Sequence, residues 1–153
     1  MSPAPAVRVF ELPDPAATAA LAASLAGLAR TGDAILLEGP LGAGKTEFAR
    51  GALRAIAGDP GLEVPSPSFT LVQSYDTQLG PVHHLDLWRL DGPAALAELG
   101  WEDMRRDIVL VEWPDRLGAL RPTDALSVEL AFAADTGRRA SVSGWDDRFG
   151  QSQ

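Results

Sequence analysis

The chain has 153 residues, 46% of them apolar, with no cysteine and a formal net charge of −8. That length suits one domain with a sizeable core, and the missing cysteines exclude a disulfide framework, a thiolate metal site or a cysteine nucleophile. The acidic balance argues against tight nucleic-acid binding by this chain alone, since the basic doublets Arg105-Arg106 and Arg138-Arg139 are short and stand among acids. The longest apolar stretch, 16–29, is mostly alanine and too short to span a bilayer, and an acidic segment precedes it. No membrane contact and a cytoplasmic location are therefore expected.

In chain order, "VRVFEL" predicts a short alternating strand. Asp14-Pro15 then supplies a helix cap with proline at the first helical position. Leu21, Leu25 and Leu28 line one face of that helix, which Thr31-Gly32 should end. Residues 34–38, "AILLE", form a nearly continuous apolar run, the pattern of a central strand covered on both faces. A helix over 46–57, with Phe48, Leu53 and Ile56 apolar, follows a glycine loop and closes at Gly58. "GDPGLEVPSPSF" reads as loop, "FTLVQSY" and "PVHHLDLWRL" as strands joined by the turn "DTQLG", and 93–99 as a short helix. Residues 108–111 form a second fully apolar strand ending in Glu112-Trp113. "ALSVELAF" and "ASVSG" read as two strands turned by "ADTGRR". A single domain over residues 1–143 is expected, with 144–153 as a flexible tail.

The loop between the first apolar strand and its helix is "GPLGAGKT", and it holds the only lysine of the chain. Strand, G-x-x-x-x-G-K-[ST], helix is the phosphate-binding loop. Its glycines adopt backbone angles that a β-carbon forbids, so amides from Gly42 through Ala43, Gly44, Lys45, Thr46 and Glu47 gather as an anion nest at a helix N-terminus. Lys45 is expected to reach the β- and γ-phosphates as a point charge, and Thr46 to give its hydroxyl to Mg²⁺. Guanine recognition through Asn-Lys-x-Asp is absent, because the chain has no asparagine and no second lysine. ATP is the expected nucleotide.

A phosphate-loop enzyme also needs an acid at the end of a neighbouring apolar strand, for the metal or the attacking water. Glu112 and Asp86 both stand at such ends. His83 and His84 are adjacent on a strand, so they point to opposite faces; with no further His or Cys, zinc is not expected, and one of the two is a candidate to orient Asp86. Trp113, next to Glu112, is a candidate pocket wall. Ser66, Ser68 and Thr70, in "SPSFT", form a switch-like hydroxyl loop downstream of the phosphate-loop helix.

Taken together, "GPLGAGKTEFARG", "VPSPSFTLV", "HLDLWRL", "ELGWED" and "VLVEWPDRLGALRP" resemble, in order and spacing, the TsaE family. These are small P-loop ATPases required for threonylcarbamoyl modification of the adenosine next to the anticodon of tRNAs. The resemblance runs roughly from Arg8 to Arg139 and implies an α/β, P-loop NTPase-like fold with a mixed central sheet flanked by helices. It further implies partnership with the TsaD–TsaB heterodimer, which carries the transferase chemistry. Residue by residue, it gives Lys45 and Thr46 the phosphate and Mg²⁺ roles, Glu112 the strand-end acid, Asp86 the essential aspartate, and 66–70 the switch-like loop. Glu47 departs from the usual threonine, Ser68 from a threonine and Trp88 from a tyrosine. Two other readings compete: a small-molecule P-loop kinase with Arg105-Arg106 in a lid, and a nucleotide-binding regulator without turnover.

Overall fold

The computed structural model describes residues 6–67, 70–134 and 136–149. In chain order it contains β1 (Val7–Leu12), α1 (Pro15–Ala26), β2 (Ala34–Glu38), α2 (Lys45–Ala57), β3 (Val72–Thr77) and β4 (Gly80–Asp86). These are followed by α3 (Pro93–Glu98), α4 (Trp101–Met104), β5 (Ile108–Glu112), β6 (Leu126–Phe132) and β7 (Arg138–Ser143). Short 3₁₀ helices span Pro114–Leu120 and Asp146–Arg148.

All strands join one seven-stranded sheet in the order β1-β7-β6-β2-β5-β4-β3. The two apolar runs lie side by side near its middle. β2 pairs parallel with β5 and with β6, and β4 pairs parallel with β5. β1, β3 and β7 run antiparallel to their neighbours, so the sheet is mixed. Alternation along β2 feeds two cores: Ile35 and Leu37 pack with Phe48 and Leu53 of α2, while Ala34 and Leu36 pack with Leu96, Trp101 and Leu117 on the other face. This two-sided cover is why β2 and β5 read as unbroken apolar runs rather than alternating ones. No helix among the described residues is long and apolar enough to cross a membrane.

Asp14 caps α1 as the sequence indicates, its side chain accepting from Ala17 N at 2.8 Å, with Pro15 at the first position. The helix stops at Ala26, earlier than Thr31-Gly32; a series of tight turns (Leu28 N to Leu25 O, Ala29 N to Ala26 O) carries the chain to β2. β3 begins at Val72, after Thr70 and Leu71; Phe69, where the expected strand starts, lies outside the described residues. Leu71 takes a left-handed backbone (φ 67°) and its N–H bonds Pro67 O, which removes it from the ladder.

The chain end differs most from expectation. Over the described residues 144–149 it is not a free tail: Trp145 is buried, and Arg148 donates to both carboxylate oxygens of Asp33 and to Leu28 O. An aromatic body that removes apolar surface from water and a bidentate ion pair hold this segment on the loop between α1 and β2.

Candidate functional site

The glycine loop joins Glu38, the last residue of β2, to the N-terminus of α2. Gly39 has φ 144°, and a β-carbon there would stand 2.3 Å from Leu130 O on the neighbouring strand. Gly44 caps α2 at φ 104°. Both positions exclude other residues, the first by contact with backbone and the second by conformation. Ala43 is buried and its N–H bonds Pro40 O at 3.1 Å, so it braces the loop from inside.

Lys45 is 5% exposed, and its ammonium folds back onto the loop. Nζ donates to Gly39 O at 2.6 Å and Pro40 O at 3.0 Å, and lies 4.1 Å from the centroid of the Trp113 ring. Burial pulls its pKa below the ordinary lysine value, opposed by the carboxylates of Glu112 and Asp86. Thr46 donates its hydroxyl to Glu112, 3.1 Å from Oε1 and 3.2 Å from Oε2.

Two adjacent strands supply the acids. Asp86 and Glu112 are register partners at the C-terminal ends of β4 and β5, and both are buried. They face the α2 side of the sheet, as Leu110 does two residues before Glu112. Asp86 Oδ1 accepts from Trp88 N at 3.1 Å, and Leu87 N donates to Glu112 O. Ligands of open α/β sheets bind beyond these carboxyl ends. Trp113 leaves β5 in a left-handed conformation (φ 61°), which turns its ring over Lys45 and against Trp88, with centroids 4.4 Å apart.

These groups open onto a cavity of about 710 Å³. Its lining brings together Gly42, Gly44, Lys45, Thr46, Glu47, Ser66, Asp86, Glu112 and Trp113, all singled out by the sequence. Thr70 is not among them: it is exposed, and its hydroxyl accepts from Gln73 Nε2 at 3.1 Å. Ser68 lies outside the described residues. The switch-like loop is nonetheless tied to an acid through Leu71, whose O accepts from Asp86 N at 2.9 Å.

Neither histidine orients Asp86. His84 Nε2 bonds Glu112 Oε2 at 2.6 Å, and His83, on the opposite face, bonds Ser74 and Asp107. The diagonal reach from β4 to β5, invisible in one strand's sequence, decides which acid is met.

The sequence reading missed one wall of the cavity. Leu12 and Pro13 at the end of β1, Thr18 on α1, Leu41 at the loop tip, and Thr136 and Arg138 of the β6–β7 hairpin all line it. Arg138 donates to Gly42 O at 3.2 Å and to Thr136 O at 3.0 Å, with its guanidinium over the Phe132 ring. Its signal in the sequence was only that of a short basic doublet. The other doublet lies elsewhere: Arg105 donates to Gly32 O before β2 begins, and exposed Arg106 faces Asp103. Neither lines the cavity.

Comparison with known proteins agrees with this geometry. The profile of the family described as threonylcarbamoyl adenosine biosynthesis protein TsaE matches residues 12–140. A tRNA threonylcarbamoyladenosine biosynthesis protein TsaE of Rickettsia felis is 34% identical over 126 residues, 82% of this chain and 73% of that protein. The protein of the same description from Bacillus subtilis is 30% identical over 140 residues, 89% of this chain and 85% of its own. The crystal structure of Bacillus subtilis YdiB superposes with a TM-score of 0.77 at 27% identity, covering 97% of this chain and 92% of that one. With its phosphate loop, its facing acids and its mixed sheet, the chain belongs to the TsaE family.

Proposed function

We propose that this protein is a Mg²⁺-dependent ATPase that serves tRNA threonylcarbamoyladenosine biosynthesis beside the TsaD–TsaB heterodimer. The observation that carries the reading is that Lys45, Thr46, Asp86 and Glu112 line one cavity, with the Thr46 hydroxyl bonded to Glu112. The phosphates of ATP take the loop, drawing the Lys45 ammonium away from the Gly39 and Pro40 carbonyls. The nucleoside lies toward Leu12, Pro13, Thr136 and Arg138, the apolar and donor-bearing side of the cavity.

The donor set fits Mg²⁺. Thr46 and Glu112 offer hard oxygen atoms beside the phosphate loop, and Mg²⁺ bound with a nucleotide usually keeps several waters rather than needing an all-protein cage. Among the described residues no group of three or more His, Cys, Asp or Glu side chains is arranged to hold a metal unaided, which accords with a cation that arrives with ATP. Bound there, Mg²⁺ would neutralise charge on the phosphate oxygens. In this reading Asp86, whose Oδ1 accepts from Trp88 N, accepts a hydrogen bond from the attacking water. Glu47 puts a carboxylate at the third residue of α2, so nucleotide affinity is set lower than a threonine there would give.

The test is ATP turnover of the isolated chain, of the chain with TsaD–TsaB, and of Asp86→Asn in both settings. Slow turnover alone, stimulation by the pair and loss in the variant are expected. Stoichiometric capture of the γ-phosphate by a small-molecule acceptor would replace this reading with the kinase.

A further inference from the structure

His84 belongs neither to the glycine loop nor to the two acids that face it, yet it is fully buried on their side of the sheet. It stands two residues before Asp86 on β4, so both side chains point toward α2. Its two ring nitrogens meet opposite surroundings. Nε2 lies 2.6 Å from Glu112 Oε2, while Nδ1 is buried with no hydrogen-bond partner among the described residues. A proton on Nδ1 would be a buried donor with nothing to accept it; on Nε2 it is donated to the carboxylate. The network therefore assigns the ring proton to Nε2.

The acceptor of that proton is the same carboxylate that receives the Thr46 hydroxyl at 3.1 and 3.2 Å. A glutamate ends in a soft, broad torsion, so its two oxygens are not oriented by the backbone alone. The imidazole, locked in the core between strands, holds Oε2, and the carboxylate so held presents both of its oxygens to the Thr46 hydroxyl. We propose that His84 is a positioning residue: it fixes the orientation of Glu112 so that its carboxylate and the Thr46 hydroxyl meet one divalent cation together. This rests on the reading of Glu112 as an acid that holds Mg²⁺. Groups that orient a metal-binding side chain from behind are commonly worth about 10–100-fold in metal affinity.

Mn²⁺ serves as the probe. Its affinity is measured by electron paramagnetic resonance on the full chain saturated with a non-hydrolysable ATP analogue, for wild type, His84→Leu, His84→Gln and Glu112→Gln. The metal-free affinity of the analogue is measured in parallel by calorimetry. His84→Leu is expected to weaken Mn²⁺ by about 10–100-fold while metal-free nucleotide affinity stays near wild type. His84→Gln, whose amide N–H takes the place of Nε2–H, should recover most of the loss. A purely structural histidine would instead lower both affinities together and would not distinguish glutamine from leucine; that pattern, or wild-type Mn²⁺ affinity in His84→Leu, overturns the proposal. Wild-type Mn²⁺ affinity in Glu112→Gln would overturn the metal assignment of Glu112 itself, and is thereby distinguishable from failure of the positioning role alone. A readout on the unaltered protein covers a variant that does not fold. With only two histidines in the chain, the His84 Nε2–H resonance is assignable in ¹⁵N-histidine protein. It should shift when Mg²⁺ is added to the nucleotide-loaded form, and an unmoved resonance counts against the role.

Discussion

The Lys45 ammonium is bonded to two carbonyls of its own loop and lies under the Trp113 ring rather than exposed. Phosphate oxygens must outcompete those contacts, and they do so through charge-assisted hydrogen bonds of about 1.5–3 kcal/mol each. Lys45→Ala should therefore weaken ATP binding by about 10-fold or more while leaving the melting curve close to wild type, a result that calorimetry reads directly. Wild-type affinity in that variant would remove the phosphate-loop reading. Asp86→Asn keeps the shape and the bond from Trp88 N but removes the negative charge. It should bind ATP and lose turnover, a loss of kcat without loss of affinity.

Tyr75 carries a second residue-scale expectation. It is the only tyrosine, and its hydroxyl is buried without a hydrogen-bond partner among the described residues. Burial raises its pKa above the ordinary phenol value, with Arg50 opposing. Because the folded-state pKa is the higher one, the stability it contributes is present below the unfolded value. It is lost as pH rises through the folded value, since the unfolded chain ionises first. Tyr75→Phe keeps the ring and deletes the orphaned hydroxyl. At neutral pH it should be neutral or stabilising within about 1 kcal/mol. Above pH about 10 its advantage over wild type should grow, and urea melts at the two pH values check this.

At the scale of elements, the sheet and the phosphate-loop helix were legible because their signals are local. β2 and β5 are apolar up to their closing glutamates, the loop has fixed spacing, and Asp14-Pro15 starts α1 where it should. What the sequence hid depends on residues far apart. Arg148 reaches Asp33 across 115 positions, and Arg138 reaches Gly42 across 96, so neither the docked chain end nor the second cavity wall leaves a mark on its neighbours in sequence. The α1–α2 contact is another such case. A β-carbon on Gly51 would come within 3.0 Å of the Ala19 backbone and 3.2 Å of Ala22 Cβ, which is why a glycine sits mid-helix despite its low propensity. Gly51→Leu should prise the two helices apart and cost about 1–3 kcal/mol in a denaturant melt, or more. An unchanged midpoint would mean that the helices are not in close contact in solution.

For the whole molecule, the cavity sits where the ends of β4 and β5 meet the phosphate loop, and Ser66 lines the same cavity. Leu71 ties the 66–70 loop to the backbone of Asp86 through a left-handed residue, and Thr70 is turned out to Gln73. We expect a γ-phosphate met by Ser66 to be felt at Leu71 and Thr70, the kind of local event that a partner reads. Coupling of this sort is reciprocal for binding: if ATP rather than ADP tightens association with TsaD–TsaB by some factor, the pair must tighten ATP over ADP by the same factor. We expect that factor to lie in the usual range of about 5–150-fold. Both arms are measurable, one as partner affinity under saturating ATP analogue or ADP, the other as nucleotide affinity with and without the pair. Ser66→Ala should shrink the factor more than it weakens ATP binding to the isolated chain, because it removes a hydroxyl that lines the cavity while leaving Lys45 in place. Equal partner affinity for the ATP and ADP forms would mean that the hydroxyl loop does not transmit nucleotide state.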